Sequence, residues 1–398
     1  MARLTPSRAA ALATSLVLCL PRAGSGQEIE LRGYYLNVAT GSLEGPFTPA
    51  GVADFQRLRL MAGPDFGFVE TELAYEPSLE LVSEPELGLV PSLGSIETGT
   101  EWLPLQWTIA EGEHASWRHR FDRLLVRTAL GDDVQLDVGR QPISWATTLF
   151  LTPSDPFAPF DPADPFREYR AGVDAARLQT FLGAFAGVDA VLRVADTREG
   201  TTLTALGRLT ATAGSWDLSG WAGIVHDRPG GAAAATLTAA GTAFRGELSL
   251  RDGEDGELVP RFAVGIDRSF GLAGRDLYVA AEYQRDGFGA AGAAEIVDVV
   301  LSEPFSRGEL QVIGRDETAV QASYQVHPLL SAELLALWNL GDGSVLLVPA
   351  VTYLVSNEVT ARGGCFFGFG TDAASGGLPG SEYGPVPSSL YVSLTAFF

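Results

Sequence analysis

Apolar and polar side chains alternate along most of this chain. Around residue 264, Phe262, Val264 and Ile266 alternate with polar or small residues. The same alternation is found in residues 57–60, 133–139, 276–284 and 320–326. Because successive side chains of a β-strand point to opposite faces, each segment predicts a strand with one apolar face and one polar face.

Segments of this kind occur about 18 times, with 16 as the alternative count, and clusters of Gly, Asp, Asn or Pro separate them. The predicted strands are 27–38, 52–62, 66–76, 116–129, 133–141, 171–180, 184–196, 200–213, 216–227, 231–240, 242–252, 258–270, 274–286, 316–327, 330–340, 344–356, 358–371 and 387–398. Alternation alone fits either a soluble sandwich or a membrane barrel. In a sandwich the apolar face packs on a protein core, and in a barrel it faces lipid. The two ends of the chain distinguish these folds.

The last strand ends on an aromatic residue. Leu390, Val392, Leu394 and Phe398 lie on one face of the segment 387–398. A closing strand of this kind resembles the recognition signal used by the outer-membrane barrel-insertion machinery. The candidate signal residues are Tyr391, Leu394 and Phe398.

The first residues predict export. Arg3 and Arg8 precede an apolar run that Pro21 ends, and small residues follow it. This run is shorter than the roughly 20 apolar residues of a transmembrane helix, so residues 1–26 are interpreted as a cleaved secretory signal peptide. Residues 27–398 then form the exported domain, which contains a single cysteine, Cys365, and therefore no intramolecular disulfide.

The predicted connections also differ between the two ends of the strands. The turns at 63–65, 130–132, 181–183, 271–273, 328–329 and 356–357 are short. The connections at 38–51, 77–115, 142–170, 287–315 and 372–386 are long and all fall on the opposite side. Membrane barrels have this asymmetry. The sequence therefore predicts an all-β chain, an antiparallel up-and-down transmembrane β-barrel in the outer membrane of a Gram-negative bacterium.

Charge excludes one class of partner. The chain has 49 acidic and 27 basic residues and a formal net charge of −22. Nucleic-acid binding requires a basic surface, so no nucleic-acid partner is expected. Every basic residue is arginine, which is always ionised and suits a wall of fixed charges in a pore.

Residues 137–177 carry a motif. A strand ending in Gly139-Arg140-Gln141 leads through Trp145 and a Pro-, Asp- and Phe-rich loop to Arg170-Ala171-Gly172-Val173-Asp174. This arrangement resembles porin-like outer-membrane channels broadly related to the alginate-export and phosphate-selective porins. The resemblance implies a channel. This sequence departs from the family pattern at Ala146, where a glycine is usual.

The connection 142–170 is the third long one, which in many porins folds inward and narrows the pore. Its three Asp-Pro pairs restrict the backbone, because each proline fixes its own φ and biases the preceding residue toward extended geometry. The candidate constriction charges are Arg140, Asp155, Asp161, Asp164, Arg167, Glu168 and Arg170. In the alternative interpretation the acidic residues only cap turns of an exposed loop.

Basic residues of other strands are candidates for the opposing wall of the pore. They are Arg57, Arg59, Arg123, Arg127 and Arg261, and the alternation places them on the inner face. Opposed fixed charges set ion preference in pores. If Arg140 lies at the constriction, its replacement by alanine is expected to shift the pore toward cations.

Motifs of known catalytic sites are absent from the sequence, so no enzyme activity, cofactor or metal is predicted. The favoured function is a porin that lets small polar or charged solutes diffuse through a water-filled pore. The alternative is a dedicated export conduit or the barrel sleeve of a larger outer-membrane assembly. Expected partners are outer-membrane lipid and lipopolysaccharide, the barrel-insertion machinery and small solutes, and a homo-oligomer is left open.

Overall fold

The fold was obtained as a computed structural model, which describes residues 30–85, 100–157, 161–166, 168–253, 256–374 and 377–398. The predicted signal peptide 1–26 and the candidate residue Arg167 lie outside these residues. Among the described residues, no helix has both the length and the apolar character needed to cross a bilayer.

The described residues contain 19 strands in one sheet. They are β1 (Leu31–Ser42), β2 (Gly51–Ala62), β3 (Glu70–Val82), β4 (Gln106–Glu111), β5 (Ala115–Ala129), β6 (Val134–Gln141), β7 (Val173–Phe181), β8 (Ala186–Thr197), β9 (Gly200–Ala213), β10 (Trp216–Val225), β11 (Arg228–Ala239), β12 (Thr242–Asp252), β13 (Leu258–Leu272), β14 (Arg275–Asp286), β15 (Asp316–His327), β16 (Leu330–Asn339), β17 (Val345–Leu354), β18 (Val359–Phe369) and β19 (Ser389–Phe397).

The sheet closes on itself. β1 pairs antiparallel with β2 on one side, where Tyr35 lies opposite Leu58, and with β19 on the other, where Tyr35 lies opposite Ala396. If β4 is left aside, each remaining strand pairs with the strands before and after it in the chain, and β3 pairs directly with β5. The ring therefore contains 18 strands. The predicted 18-strand antiparallel up-and-down barrel is confirmed, and the alternative count of 16 is wrong.

The two faces of the strands differ as the alternation predicts. On β12, Glu247 and Arg251 are buried inside the barrel, whereas Leu248 and Leu250 lie outside and are 47% and 40% exposed. The last strand behaves in the same way, with Val392 58% exposed and Ser393 buried. Large apolar side chains exposed around the ring are typical of a wall that faces lipid.

The connections separate into two classes by position. One end of the barrel, the turn end, carries the connections 63–69, 130–133, 182–185, 214–215, 240–241, 273–274, 328–329 and 355–358. The other end, the loop end, carries all the long connections, namely 43–50, 83–114, 142–172, 287–315 and 370–388, together with four short ones. The asymmetry predicted from the sequence is present.

Two features of the loop end were not predicted. β4 lies within a connection interpreted as loop, and it pairs with the first part of β5, where β6 does not reach. It supplies hydrogen-bond partners for an edge that the short β6 would leave unpaired. Within the connection 287–315, the chain forms the short helices Ile296–Leu301 and Glu303–Ser306.

Candidate functional site

The candidate site is the segment 142–172, which leaves the wall below its rim. β6 and β7, which flank it, have 8 and 9 residues, whereas β8 and β9 have 12 and 14. The last residue of β6, Gln141, lies opposite the first residue of β7, Val173. The segment therefore starts and ends part of the way down the barrel.

Two glycines of the motif permit this departure. Gly139 has a φ of +125°, and a Cβ there would lie 2.1 Å from the carbonyl oxygen of Leu124. A Cβ on Gly172 would lie 2.3 Å from the carbonyl oxygen of Asp122. Both positions thus exclude any larger residue. This explains why glycine stands at these places in the Gly-Arg-Gln and Arg-x-Gly-Val-Asp parts of the motif.

Arg140 is the second-last residue of β6, faces β7 and is 1% exposed. Its guanidinium donates two hydrogen bonds of 2.8 Å to Asp174 and one of 2.9 Å to Glu101. Burial raises the pKa of Glu101, which lies in the connection 83–114. Arg140 therefore joins β6 and β7 to the connection 83–114, and its charge is compensated there.

Two wall carboxylates bind the backbone of the segment. Glu282 of β14 accepts hydrogen bonds from the backbone N–H groups of Leu149, Phe150 and Leu151 at 2.6, 2.8 and 3.0 Å. Glu247 of β12 accepts bonds from the N–H groups of residues 147, 148 and 154 at 2.9, 3.3 and 3.2 Å. Hydrogen bonds to an ionised carboxylate are about twice as strong as neutral ones, so these residues are strong anchors.

Apolar side chains of the segment pack against two parts of the ring. Trp145 and Phe157 belong to a buried cluster with Trp221 and other residues of β7 to β10. Leu151 and Phe166 belong to a second cluster, formed mainly by β15 to β19, β1 and β2. These two groups of strands lie on opposite sides of the ring.

The aspartates of the segment form turns. Asp155 accepts a hydrogen bond from the backbone N–H of residue 157, Asp161 from that of residue 163 and Asp164 from that of residue 166. Asp155 also forms an ion pair of 3.5 Å with Arg170, and Glu168 is exposed. All three aspartates cap turns, as the alternative interpretation has it, but Asp155 and Asp164 are buried and do not lie on an exposed loop.

Three of the five wall arginines, Arg57, Arg59 and Arg123, lie close together, whereas Arg261 lies on a different part of the wall. Arg59 pairs with Glu76 and Asp122, and Arg123 pairs with the same Asp122. Arg57, on the same face of β2 as Arg59, lies 3.5 Å from the hydroxyl of Tyr34 and within electrostatic reach of Glu76. Arg261 donates to Asp286 at 2.6 and 2.8 Å, and Arg127 donates to Asp137 at 3.0 and 3.1 Å. All but Arg127 are buried.

The candidate insertion signal occupies both faces of the last strand. Leu394 and Phe398 lie outside, 43% and 56% exposed, whereas Tyr391 is buried inside against Phe166 and Phe366. The backbone of Phe398 exchanges two hydrogen bonds with Gly33, which closes the ring at its turn end. A role of the three residues in insertion stays a prediction.

The anchoring glutamates could have been found from the sequence only in part. Glu282 lies on the inner face of a clearly alternating segment, and Glu247 precedes Ser249 and Arg251 on the inner face of β12. Alternation identifies the face but not the partner, and the partner here is backbone more than 90 residues away in the chain.

The connection 287–315 also contacts the interior. Arg251 donates a hydrogen bond of 2.8 Å to Glu309. Burial alone would raise the pKa of Glu309, but Arg251 and other nearby cationic groups hold that pKa below its ordinary value. Burial lowers the pKa of His226, in the turn between β10 and β11, to about 4.

Two cavities open beside the segment 142–172. One, of about 300 Å³, is lined by Thr147 and by hydroxyl-bearing and charged residues of β9 to β11, including Arg208 and Asp217. The other, of about 270 Å³, lies between residues 149–150 and 162–165 and the wall formed by β15 to β18.

No protein-family model and no curated protein matches the chain. Solved structures do match over most of its length. OccAB1 of Acinetobacter baumannii has a TM-score of 0.57 at 11% identity, over 94% of this chain and 98% of that chain. OccD3 of Pseudomonas aeruginosa has a TM-score of 0.55 at 12% identity, over 94% and 92%. A BenF-like porin from Pseudomonas fluorescens Pf-5 has a TM-score of 0.53 at 9% identity, over 94% and 100%.

At these identities the comparison shows a shared fold. The chain has a porin-like β-barrel, as the sequence predicts. The narrower resemblance to the alginate-export and phosphate-selective porins is not supported, because the matching structures named above carry other names.

Proposed function

We propose that this protein is an outer-membrane porin, through which small polar or charged solutes diffuse passively. The observation that carries the proposal is the closed ring of 18 strands with apolar side chains outside and charged side chains inside. A closed barrel leaves no unpaired strand edge in lipid, and a polar interior lets water enter. The proposal assigns no catalytic role to any residue.

We further propose that the segment 142–170 narrows the passage. Its support is the pair of apolar clusters on opposite sides of the ring and the hydrogen bonds to Glu247 and Glu282 between them. A segment held at several points along the interior has a fixed position, so the passage around it has a fixed width. A wide conduit for an exported polymer fits this arrangement less well.

The fixed charges that a solute meets are not those of the fully paired arginines. Arg140 and Arg261 are 1% exposed and have carboxylate partners, so their fields are largely compensated. The charged Arg208 and Asp217 and the neutral Gln321 line the cavities and are better placed to contact a solute.

Conductance across planar bilayers tests the proposal. The purified protein is expected to produce discrete current steps, and the same sample denatured by heat should produce none. A heat-modifiable shift on gel electrophoresis verifies that the barrel is folded. A folded protein that gives no current steps and leaves solute-loaded vesicles intact would exclude an open porin.

A further inference from the structure

The cavity of about 270 Å³ lies between the segment 142–172 on one side and the barrel wall on the other, and its lining contains both apolar and polar side chains. Leu149, Phe150, Pro162 and Pro165 of the segment 142–172 line one side, and Leu335 and Val348 of the wall extend the apolar surface. The polar side chains that line it are Asp164, Gln321, Glu333 and Arg362. At about 30 Å³ for each water, the cavity has the volume of about nine water molecules, which suits a small organic solute.

The charged groups of this cavity already have partners within the protein. Arg362 donates a hydrogen bond of 2.7 Å to Glu333, which also accepts one from Thr352. Of the guanidinium, the buried Nε has no hydrogen-bond partner among the described residues, so the charge is paired but one N–H is not. Asp164 accepts a hydrogen bond of 2.8 Å from the backbone N–H of residue 166. A charged solute entering here would lose hydration without finding an unpaired counter-charge, and that loss is costly.

Gln321 differs from these groups. It lies on the inner face of β15 and lines the cavity, and among the described residues its amide has no hydrogen-bond partner. A glutamine amide carries a carbonyl acceptor and an NH2 donor side by side. The group that matches both at once is another amide, which can accept one hydrogen bond and donate another.

We propose that this cavity is a solute-binding site for small uncharged amides that have an apolar body. The amide group of the solute pairs with Gln321, and the apolar body packs on Leu149, Phe150 and Leu335. The paired charges of Glu333 and Arg362 disfavour anions and cations of the same shape. The inference rests on the proposed porin function, since it assigns a preferred solute to that pore.

Three probes of matched shape test the preference: 2-phenylacetamide, phenylacetate and 2-phenylethylammonium. Each is added to one side of a bilayer that contains a single channel, and interruption of the salt current is measured against concentration. The amide should half-block the current at a concentration about tenfold lower than either ion, because a site with internally paired charges discriminates strongly against an unmatched charge.

Gln321→Leu is the decisive variant, since leucine keeps the approximate size and removes the amide. It should weaken block by phenylacetamide about tenfold and leave the two ions unchanged. Thr236→Val, which alters the other cavity, is the matched control and should block as wild type does. Open-channel conductance and the heat-modifiable shift establish that both variants are folded.

Equal block by the three probes, or block by the amide that is unaffected in Gln321→Leu, would overturn the inference while leaving the porin function intact. If the protein carries no current, calorimetric titration of the detergent-solubilised protein with the same probes decides the binding preference independently. Binding of the amide in that case would retain the site and exclude the porin function.

Discussion

Arg140 and Asp174 lie opposite each other on β6 and β7, and two hydrogen bonds of 2.8 Å join the guanidinium to the carboxylate. Asp174 also accepts hydrogen bonds from the backbone N–H groups of Trp102 and Leu103, at 3.0 and 2.8 Å. The pair therefore fixes the connection 83–114 to the point of the wall where the segment 142–172 departs.

Replacing Arg140 by alanine is expected to lower the stability of the barrel by about 3 kcal/mol, because it leaves a buried carboxylate without its counter-charge. The temperature of the heat-modifiable gel transition measures this loss. The reversal potential should change little, since the side chain is 1% exposed.

The double variant Arg140→Leu/Asp174→Leu is the control. It removes both charges and should recover much of the lost stability. A stable Arg140→Ala channel with a reversal potential shifted toward cations would instead restore the pore role expected from the sequence.

Glu282→Gln is expected to widen the pore. The neutral amide offers one acceptor in place of two charged ones, so three backbone hydrogen bonds weaken, and we estimate a loss of about 1–3 kcal/mol of anchoring. Single-channel conductance should rise and the open current should become noisier. The double variant with Glu247→Gln should show a larger effect.

Glu358→Gln, in a turn at the opposite end of the barrel, serves as the control and should conduct as wild type does. Unchanged conductance in the double variant, with the fold intact, would show that the segment 142–170 does not limit the passage.

Gly139→Ala is expected to destabilise the barrel by about 2 kcal/mol, because the backbone there has a φ of +125° and the new methyl group meets the carbonyl oxygen of Leu124. Gly246→Ala is the matched control, since a Cβ at that strand position meets nothing within 4 Å. Both are compared by their heat-modifiable transitions. Equal transitions for the two variants would mean that β6 adjusts without cost.

The sequence predicted the barrel closely because alternation is a local property. Each of the 18 ring strands overlaps a predicted segment, and β9, β12 and β15 match their predicted bounds. A period of two residues follows from strand geometry alone, so long-range information is not needed to find it. β4 was missed because its six residues form a strand only where β6 leaves an edge of β5 open.

The candidate site was predicted less well, since its partners are distant in the chain. The alternation of side chains correctly places Arg59 and Arg261 inside the barrel. It cannot show that their guanidinium groups form ion pairs with Glu76 and Asp286. The cavity lined by Gln321 depends on where residues 149–150 and 162–165 pack, and no local pattern contains that information.

His226 should make the barrel less stable in acid. Its pKa in the folded protein is about 4, below the ordinary value of 6.5, because burial disfavours the charged ring. Above the ordinary value both states are neutral and the stability is complete. As the pH falls toward 4, the unfolded chain binds a proton that the folded protein does not, and between pH 7 and pH 5 this costs about 2 kcal/mol.

His226→Asn tests this pH dependence. His226 has a φ of 49°, which asparagine tolerates better than most residues. The asparagine side chain also has no group that titrates between pH 5 and pH 7. Heat-modifiable transitions of wild type and variant are measured at pH 7 and pH 5. The drop should be smaller in the variant, because only the wild type contains the buried imidazole that resists protonation. An equal drop in both proteins would assign the acid sensitivity to the carboxylates instead.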